Sequence, residues 1–473
     1  MTKELQTDIA IIGAGTAGLY AMREVKRAGR SFLLIDGGPL GTTCARVGCM
    51  PSKVALHTGA QWAARKSMAQ AGIAGAEALT LDRSRAWQHV REHRDTFAAS
   101  AAKKAITGAG EYLLNGHARF LEPTLLLVDL PDGPVHVRAK AVIIANGSRP
   151  VMPGWLEPVK ERVVTTDQLF ELAALPDSIG VLGLGAIGLE MGLALSRMGI
   201  TVVGADLAPT VAGIGDPDLA RHAIDTFGQE MAIWVGQATA VEAAPDGVIL
   251  KAGDKHQKVE LLLASLGRRP NTDSLDLTAA GLPVNERGTP LFDVQTLQIE
   301  NQPVFIVGDA NADRPLMHEA ADEGAIAGFN AAKLVAGDTV VPFRRKVALG
   351  IAFSDPDVIS VGGRFDALPS DHLVGKASGS GNGRARILGA QSALLHVYAQ
   401  AGTGKLLGAA MVGAGGEHIA HLLAWAVQRG ETAASLLQLP FYHPVLEEML
   451  QTALQDIVRQ LPALPFPMGV EPV

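Results

Sequence analysis

The sequence predicts an α/β protein: two doubly wound, Rossmann-like parallel sheets in succession, closed by a C-terminal α+β domain. Three observations predict it. Seven apolar runs end in glycine or an acid: DIAIIGAG (8–15), SFLLID (31–36), AVIIANG (141–147), SIGVLGLG (178–185), ITVVGAD (200–206), LLLASLG (261–267) and VFIVGDA (304–310). Runs without polar alternation read as strands buried on both faces, the habit of parallel sheets. Helical patterns such as LEMGLALSRMG (189–199) lie between several of them, so strand, glycine turn and helix alternate. From about residue 341 the pattern changes: DPDVISVGG, LLHVYAQ and KLLGAAMVG read as antiparallel strands before helices at about 416–429 and 444–460.

The elements follow in order. Residues 1–150 form the first doubly wound domain. Inside it, the Ala-rich stretch at about 54–110 reads as inserted helices, and 111–140 as short strands with turns at EPT and PDG. Residues 151–275 form the second domain, 276–340 a central segment returning to the first, and 341–473 a separate domain. The length of 473 residues fits about three domains at ~150 residues each. Hydrophobic residues are 48% and charged residues 19%, enough for a large core. A net charge of −7 offers no basic face for a nucleic acid. No run approaches the ~20 apolar residues of a membrane span. The opening MTKELQTDIAIIG lacks a basic segment and a long apolar run, so a cytoplasmic protein is expected.

G-x-G-x-x-G occurs at Gly13, Gly15 and Gly18, and again at Gly183, Gly185 and Gly188. Each copy follows an apolar run and opens a helix, the context the motif needs. The first glycine makes the tight turn, the second admits a pyrophosphate, and the third lets helix and strand pack closely. The helix N-terminus adds N–H groups and positive dipole toward the anion. Asp36 lies 23 residues after Gly13, and Asp206 lies 23 after Gly183; both end an apolar run. A carboxylate there accepts hydrogen bonds from a ribose hydroxyl pair. The chain therefore reads as having two dinucleotide sites, where a dehydrogenase with one cofactor needs one.

The only two cysteines, Cys44 and Cys49, lie in GTTCARVGCMPSK (41–53), just after the first fingerprint. Buried chance thiols are one reading. A structural disulfide suits an oxidising compartment, and zinc wants more ligands than a nearby His57 supplies. A working redox pair is the reading preferred here. Residues five apart in an ideal helix lie roughly 8–9 Å apart, from its ~1.5 Å rise, whereas a disulfide needs a Cα separation of about 4.4–6.8 Å. The backbone must depart from a regular helix, and Gly48 and Pro51 suit that departure. FAD is the economical cofactor for the first site, since flavin exchanges electrons with both a thiolate and a nicotinamide; the second site is then for NAD.

Together these features resemble the pyridine nucleotide–disulfide oxidoreductases over essentially the whole chain, and most of all their dihydrolipoamide dehydrogenase branch. The family's redox signature G-G-T-C-x-x-x-G-C-x-P-S-K stands here as GTTCARVGCMPSK, with Thr42 in place of a glycine. Its other marks are ANGSRP (145–150), with Asn146 for a usual threonine, LGRRPN (266–271), VGDA (307–310) and HPVLEE (443–448). The resemblance implies that Cys49 is the thiolate beside the flavin and Cys44 the thiol that exchanges with substrate. It pairs Lys53 with Glu190 beside the flavin and gives Asp309 the ribityl chain. Thr43, Ala118, Gly147, Gly267 and Met317 fall at positions around the cofactors. His443 becomes the acid–base residue, oriented by Glu448, with Pro444 expected to open the helix that carries the glutamate. Tyr442 and Val445 depart from the usual surroundings of that histidine, so the substrate mouth differs.

The implied function is NAD-linked oxidation of a dihydrolipoyl dithiol, and the implied partners are a second copy of the chain and a lipoyl-bearing carrier or small disulfide. A glutathione-type reductase using NADPH is the alternative, but it favours arginines after the second nucleotide strand, where GADLAPTVAG (204–213) has none. Mercuric reductase carries a vicinal cysteine pair near its C-terminus; this chain ends FPMGVEPV. A flavoprotein serving only as a binding subunit need not keep Cys44, Cys49, His443 and Glu448 together.

Overall fold

All seven apolar runs are strands of parallel sheets in the computed structural model, which describes residues 3–68, 70–286, 288–462 and 467–470. In the first sheet the parallel order is Leu113–Asn115, Phe32–Asp36, Lys3–Ile12, Gly133–Ile144 and Val304–Ile306. In the second it is Ala232–Val235, Thr201–Asp206, Ser178–Leu182, Leu261–Ala264 and Val163–Val164. The two sheets thus repeat one plan. Each fingerprint strand is central, and its glycine turn opens at the strand's C-terminal end, where the strand order reverses and open α/β sheets take their ligands. The central positions are apolar on both faces: Ile9, Ala10 and Ile11 are fully buried, as are Ile179 and Val181.

A third, antiparallel sheet closes the fold, in the order Leu349–Ala352, Asp357–Gly362, Leu406–Gly413, Leu394–Ala399 and Leu373–Ser378. Helices Gly416–Arg429 and Glu448–Arg459 cover one of its faces through Ile419, Leu423, Leu454 and Ile457. Among the described residues no helix is long and apolar enough to cross a membrane.

Two expectations need correction. The first helix after the cysteines begins at Cys49, not near 54, because Gly48 ends one short helix, Thr43–Val47, and the next starts at once as Cys49–Ala63. Pro444 does not open the last helix. That helix begins at Glu448, and residues 444–447 form the turn before it.

Candidate active site

The cysteine segment departs from a regular helix as its spacing demands. Gly48 sits at the break, and a Cβ there would lie 3.1 Å from the Thr43 carbonyl oxygen. Cys49 therefore starts the 15-residue helix Cys49–Ala63, where the helix dipole favours a thiolate. Both cysteines are free thiols in this structure. The hydrogen bond from Cys44 is the largest influence on Cys49; with the nearby Lys53 charge it outweighs burial and lowers the Cys49 thiol to about 7. Cys44, as that donor and itself half-buried, is pushed well above the ordinary thiol range. One thiol is thus set to ionise and the other to hold its proton. Thr42, at the family's glycine position, has φ +58°, an uncommon conformation for a β-branched residue. Its hydroxyl accepts from Ala45 N–H and caps the Cys44 helix, a contact glycine cannot make.

Helix Cys49–Ala63 crosses the second fingerprint helix, Ala186–Arg197, with Gly59 allowing the close approach: a Cβ there would meet the Ala194 carbonyl oxygen at 3.1 Å. The crossing brings Lys53 Nζ to 2.8 Å from both oxygens of Glu190. The buried Glu190 also accepts from Ser52 Oγ at 3.3 Å and from Phe353 N–H at 2.9 Å. The Lys53 ammonium lies 4.8 Å from the centre of the Phe353 ring. Ser52 and Phe353 were missed from the sequence. Ser52 sits inside the PSK signature and could have been found; Phe353 is contributed by the C-terminal domain and carries no local signal.

The residues fit two dinucleotides. A Cβ on Gly13 would lie 2.3 Å from the Ala145 carbonyl oxygen, and one on Gly183 2.5 Å from that of Ser265. On Gly18 and Gly188 it would strike the first glycine's carbonyl oxygen at 1.9 Å in both copies. Only the middle glycines, Gly15 and Gly185, leave room, with no atom nearer than 3.9 Å at Gly15 and none within 4 Å at Gly185. Gly147 and Gly267 are likewise open, at φ +69° and +95°. Each acid holds its own turn: Asp36 accepts from Ala14 N–H at 2.6 Å, and Asp206 from Leu184 N–H at 2.6 Å. Asp36 also accepts from Gly38 N–H and Asp206 from Ala208 N–H, which leaves lone pairs of each carboxylate for a ribose.

Asp309 Oδ2 accepts from Ser148 Oγ at 2.6 Å, while Oδ1 has no protein partner among the described residues. Arg268 fixes that serine, donating from Nε at 2.8 Å. Asn146 Nδ2 donates to the Asn271 carbonyl at 2.7 Å, and Asn271 Nδ2 donates back to the Asn146 backbone carbonyl at 2.9 Å, a reciprocal clasp. Asn146 Oδ1 is buried without a protein partner among the described residues, an acceptor suited to a hydroxyl-rich ligand. Ala118 is buried on strand His117–Glu122, and Met317 is the first residue of helix Met317–Val335, half exposed.

His443 and Glu448 form a second group. Glu448 Oε1 lies 3.0 Å from His443 Nδ1, and Oε2 accepts from Val445 N–H at 3.1 Å. The glutamate is on the first turn of its helix and reaches back over the turn, so the contact survives although Pro444 is outside the helix. The His443 bond holds the Glu448 carboxyl below its usual range. Because Val445 engages through its backbone, also accepting from Asn382 Nδ2, its side-chain departure leaves the geometry intact. The His443 side chain is 77% exposed, and none of its hydrogen bonds reaches the cysteines of the same chain. Cys44, Cys49, Lys53 and Glu190 are thus one cluster; His443 and Glu448 are another.

A paired dithiol beside one dinucleotide turn, with a second such turn on an adjoining sheet, defines a flavoprotein disulfide oxidoreductase. Residues 7–324 match the family model described as pyridine nucleotide-disulphide oxidoreductase, and 349–454 match that family's dimerisation domain. The chain belongs to the pyridine nucleotide–disulphide oxidoreductases, whose cofactors are FAD and a nicotinamide dinucleotide. It is similar to the dihydrolipoyl dehydrogenase of Vibrio parahaemolyticus, 26% identical with 100% of both chains covered. It is 28% identical to that of Bacillus subtilis, covering 95% of this chain and 96% of the relative. In fold it resembles the HOCl-induced flavoprotein disulfide reductase RclA of Escherichia coli, solved as a Cu(II) complex (TM-score 0.82, 22% identity, 95% and 99% covered). LpdA of Mycobacterium tuberculosis gives a TM-score of 0.81 at 22% identity, with 95% and 99% covered.

Proposed function

We propose that this protein is an NAD-linked dihydrolipoamide dehydrogenase, working in the cytoplasm as a homodimer. The observation that carries the reading is the coenzyme loop. Asp206 ends its strand, and no arginine follows in residues 207–215, so the site suits NAD and electrons leave toward NAD+. The full-length likeness to dihydrolipoyl dehydrogenases supports the same direction.

Glu448 accepts from His443 Nδ1–H, which leaves Nε2 as the base. Nε2 takes a proton from the incoming dithiol, and the resulting thiolate attacks Cys44 sulfur of the disulfide. A mixed disulfide forms and Cys49 leaves as thiolate, stabilised by its helix N-terminus and Lys53. The second substrate thiol, deprotonated in turn, displaces Cys44, releasing the oxidised cyclic disulfide and leaving the enzyme as the dithiol. FAD, when bound, would supply the two-electron relay between that dithiol and NAD+. Lys53, fixed by Glu190, supplies positive charge beside that site, and Asp309, held by Ser148, offers Oδ1 to the ribityl chain.

The test assays the FAD-loaded protein with free dihydrolipoamide and NAD+, and with glutathione disulfide and NADPH. Turnover with the first pair and little with the second is expected. The reverse result would replace this reading with the glutathione-type one.

A second expected outcome concerns the coenzyme. A 2′-phosphate would face the Asp206 carboxylate, and like-charge juxtaposition costs several kcal/mol, so kcat/KM for NAD should exceed that for NADP by about 100-fold or more. Asp206→Ala should narrow the gap, chiefly by weakening NAD, since the same carboxylate holds Leu184 N–H. Equal kcat/KM values for the two coenzymes in the unaltered protein would refute the assignment.

A further inference from the structure

The loop after Asp206, residues 207–215, ends at Asp216, the N-cap of helix Pro217–Phe227. It is held at three points. At its start, Asp206 accepts from Ala208 N–H at 2.8 Å. In its middle, Ala212 N–H donates to the Leu184 carbonyl at 2.7 Å, and Thr210 Oγ1 to that of Ile214 at 2.9 Å. At its end stands Asp216, only 4% exposed.

Asp216 uses both carboxylate oxygens. Oδ1 accepts from Asp218 N–H at 2.9 Å and Leu219 N–H at 3.3 Å, which caps the helix. Oδ2 is 2.7 Å from His396 Nδ1 and accepts from Tyr398 OH at 2.8 Å. Both partners belong to strand Leu394–Ala399 of the C-terminal sheet. Period-2 alternation explains how one strand serves two domains. Leu395, Val397 and Ala399 face the C-terminal domain's own helices, while His396 and Tyr398 face the coenzyme domain. Tyr398 joins Val211 and Ile214 of the loop, and Leu219 of the helix, in one apolar cluster. Its ring also packs against Phe365 and His372, with centroids at 5.4 and 5.9 Å. Burial pushes the Asp216 carboxyl up, but the bonds from His396 and Tyr398 outweigh it and bring it down to about 2.

Capping alone does not call for this arrangement. Serine or threonine caps a helix as well, and apolar residues of similar size fill such an interface without the cost of desolvating a charge. What the polar cluster adds is direction: four bonds to one carboxylate fix the helix start, and so the end of the loop, relative to a strand of another domain.

We propose that Asp216, His396 and Tyr398 are positioning residues for the nicotinamide coenzyme, tying the loop 207–215 to the C-terminal domain and so setting Asp206 and its turn against the adenosine ribose. The proposal depends on the pyridine-nucleotide class of the protein and not on the identity of its dithiol substrate.

The experiment uses the full-length, FAD-loaded protein with Tyr398→Phe and Asp216→Asn. Tyr398→Phe keeps the ring packed and removes only the hydroxyl; Asp216→Asn keeps an oxygen for the helix cap. NAD+ affinity is measured by calorimetric titration, NADH oxidation is followed with benzoquinone as acceptor, and thermolysin probes cleavage within 207–215. Couplings of this kind run to about 0.5–2 kcal/mol, so Asp216→Asn should weaken NAD+ by about tenfold and Tyr398→Phe by about threefold. The KM for NADH should rise in step while that for benzoquinone stays fixed, and the loop should be cut faster. A melting temperature that falls while NAD+ affinity and loop cleavage stay unchanged would overturn the proposal and leave the cluster as a stabilising contact alone. So would equal rises in both KM values. If Asp216→Asn does not fold, Tyr398→Phe decides by the same readouts.

Discussion

A heterodimer of one Cys44→Ser chain and one His443→Ala chain, isolated through different tags, should recover about half of wild-type activity, as expected when two isologous sites each draw on both chains. One of its sites carries both lesions and is dead. The other combines Cys44 and Cys49 of the His443→Ala chain with His443 of the Cys44→Ser chain. Each mutant homodimer should stay low, since loss of a general base costs about 10²–10⁴-fold. The grounds are geometric. The His443 side chain is 77% exposed and, among the described residues, hydrogen-bonded only to Glu448, beside Tyr442 at 81% exposure and Leu439 at 56%. The family's dimerisation domain carries this stretch. An apolar rim around an exposed, proposed base is what a second subunit would cover. A heterodimer no more active than the two homodimers would mean that each chain supplies its own histidine.

The second large effect is spectroscopic. On two-electron reduction the FAD-loaded protein should show a long-wavelength charge-transfer band that Cys49→Ser abolishes and Cys44→Ser retains. Cys49 is the thiol brought down to about 7, so its thiolate persists above that pH. The sign follows: the band should be full at about pH 8 and fade as pH falls through about 7, when the thiolate takes its proton. In Cys44→Ser a hydroxyl can still donate to the Cys49 sulfur, so the band should remain with a shifted midpoint. A band that survives in Cys49→Ser would reassign the flavin-side sulfur.

Much of this site was legible because its signals are local in the chain. The glycine turns need G-x-G-x-x-G for reasons confined to a few residues, and the structure shows those reasons as carbonyl contacts at Gly13, Gly18, Gly183 and Gly188. The redox pair lies within one motif, and His443 and Glu448 lie five residues apart. The helix boundaries were less legible. Pro444 suits a first helical turn, yet the helix waits until Glu448, whose carboxylate is already committed to His443 and Val445 N–H. Phe353, Asp216, His396 and Tyr398 gave no signal, since each acts through a partner 100 or more residues away.

The sequence by itself determined the class of chemistry: two apolar strands each ending in a G-x-G-x-x-G turn, an acid 23 residues on from each first glycine, and two cysteines separated by a glycine that interrupts the helix. These depend on backbone conformation and on strand burial, which a few neighbouring residues dictate. The Lys53–Glu190 pair was already implied by the resemblance, but only the tertiary structure decided that Ser52 from the first domain and Phe353 from the third would reach the same carboxylate. It likewise decided that Asp216 would be held by His396 and Tyr398 across a domain boundary. A buried charge must find donors wherever packing brings them, and packing is a property of the assembled sheets that no short stretch of chain encodes.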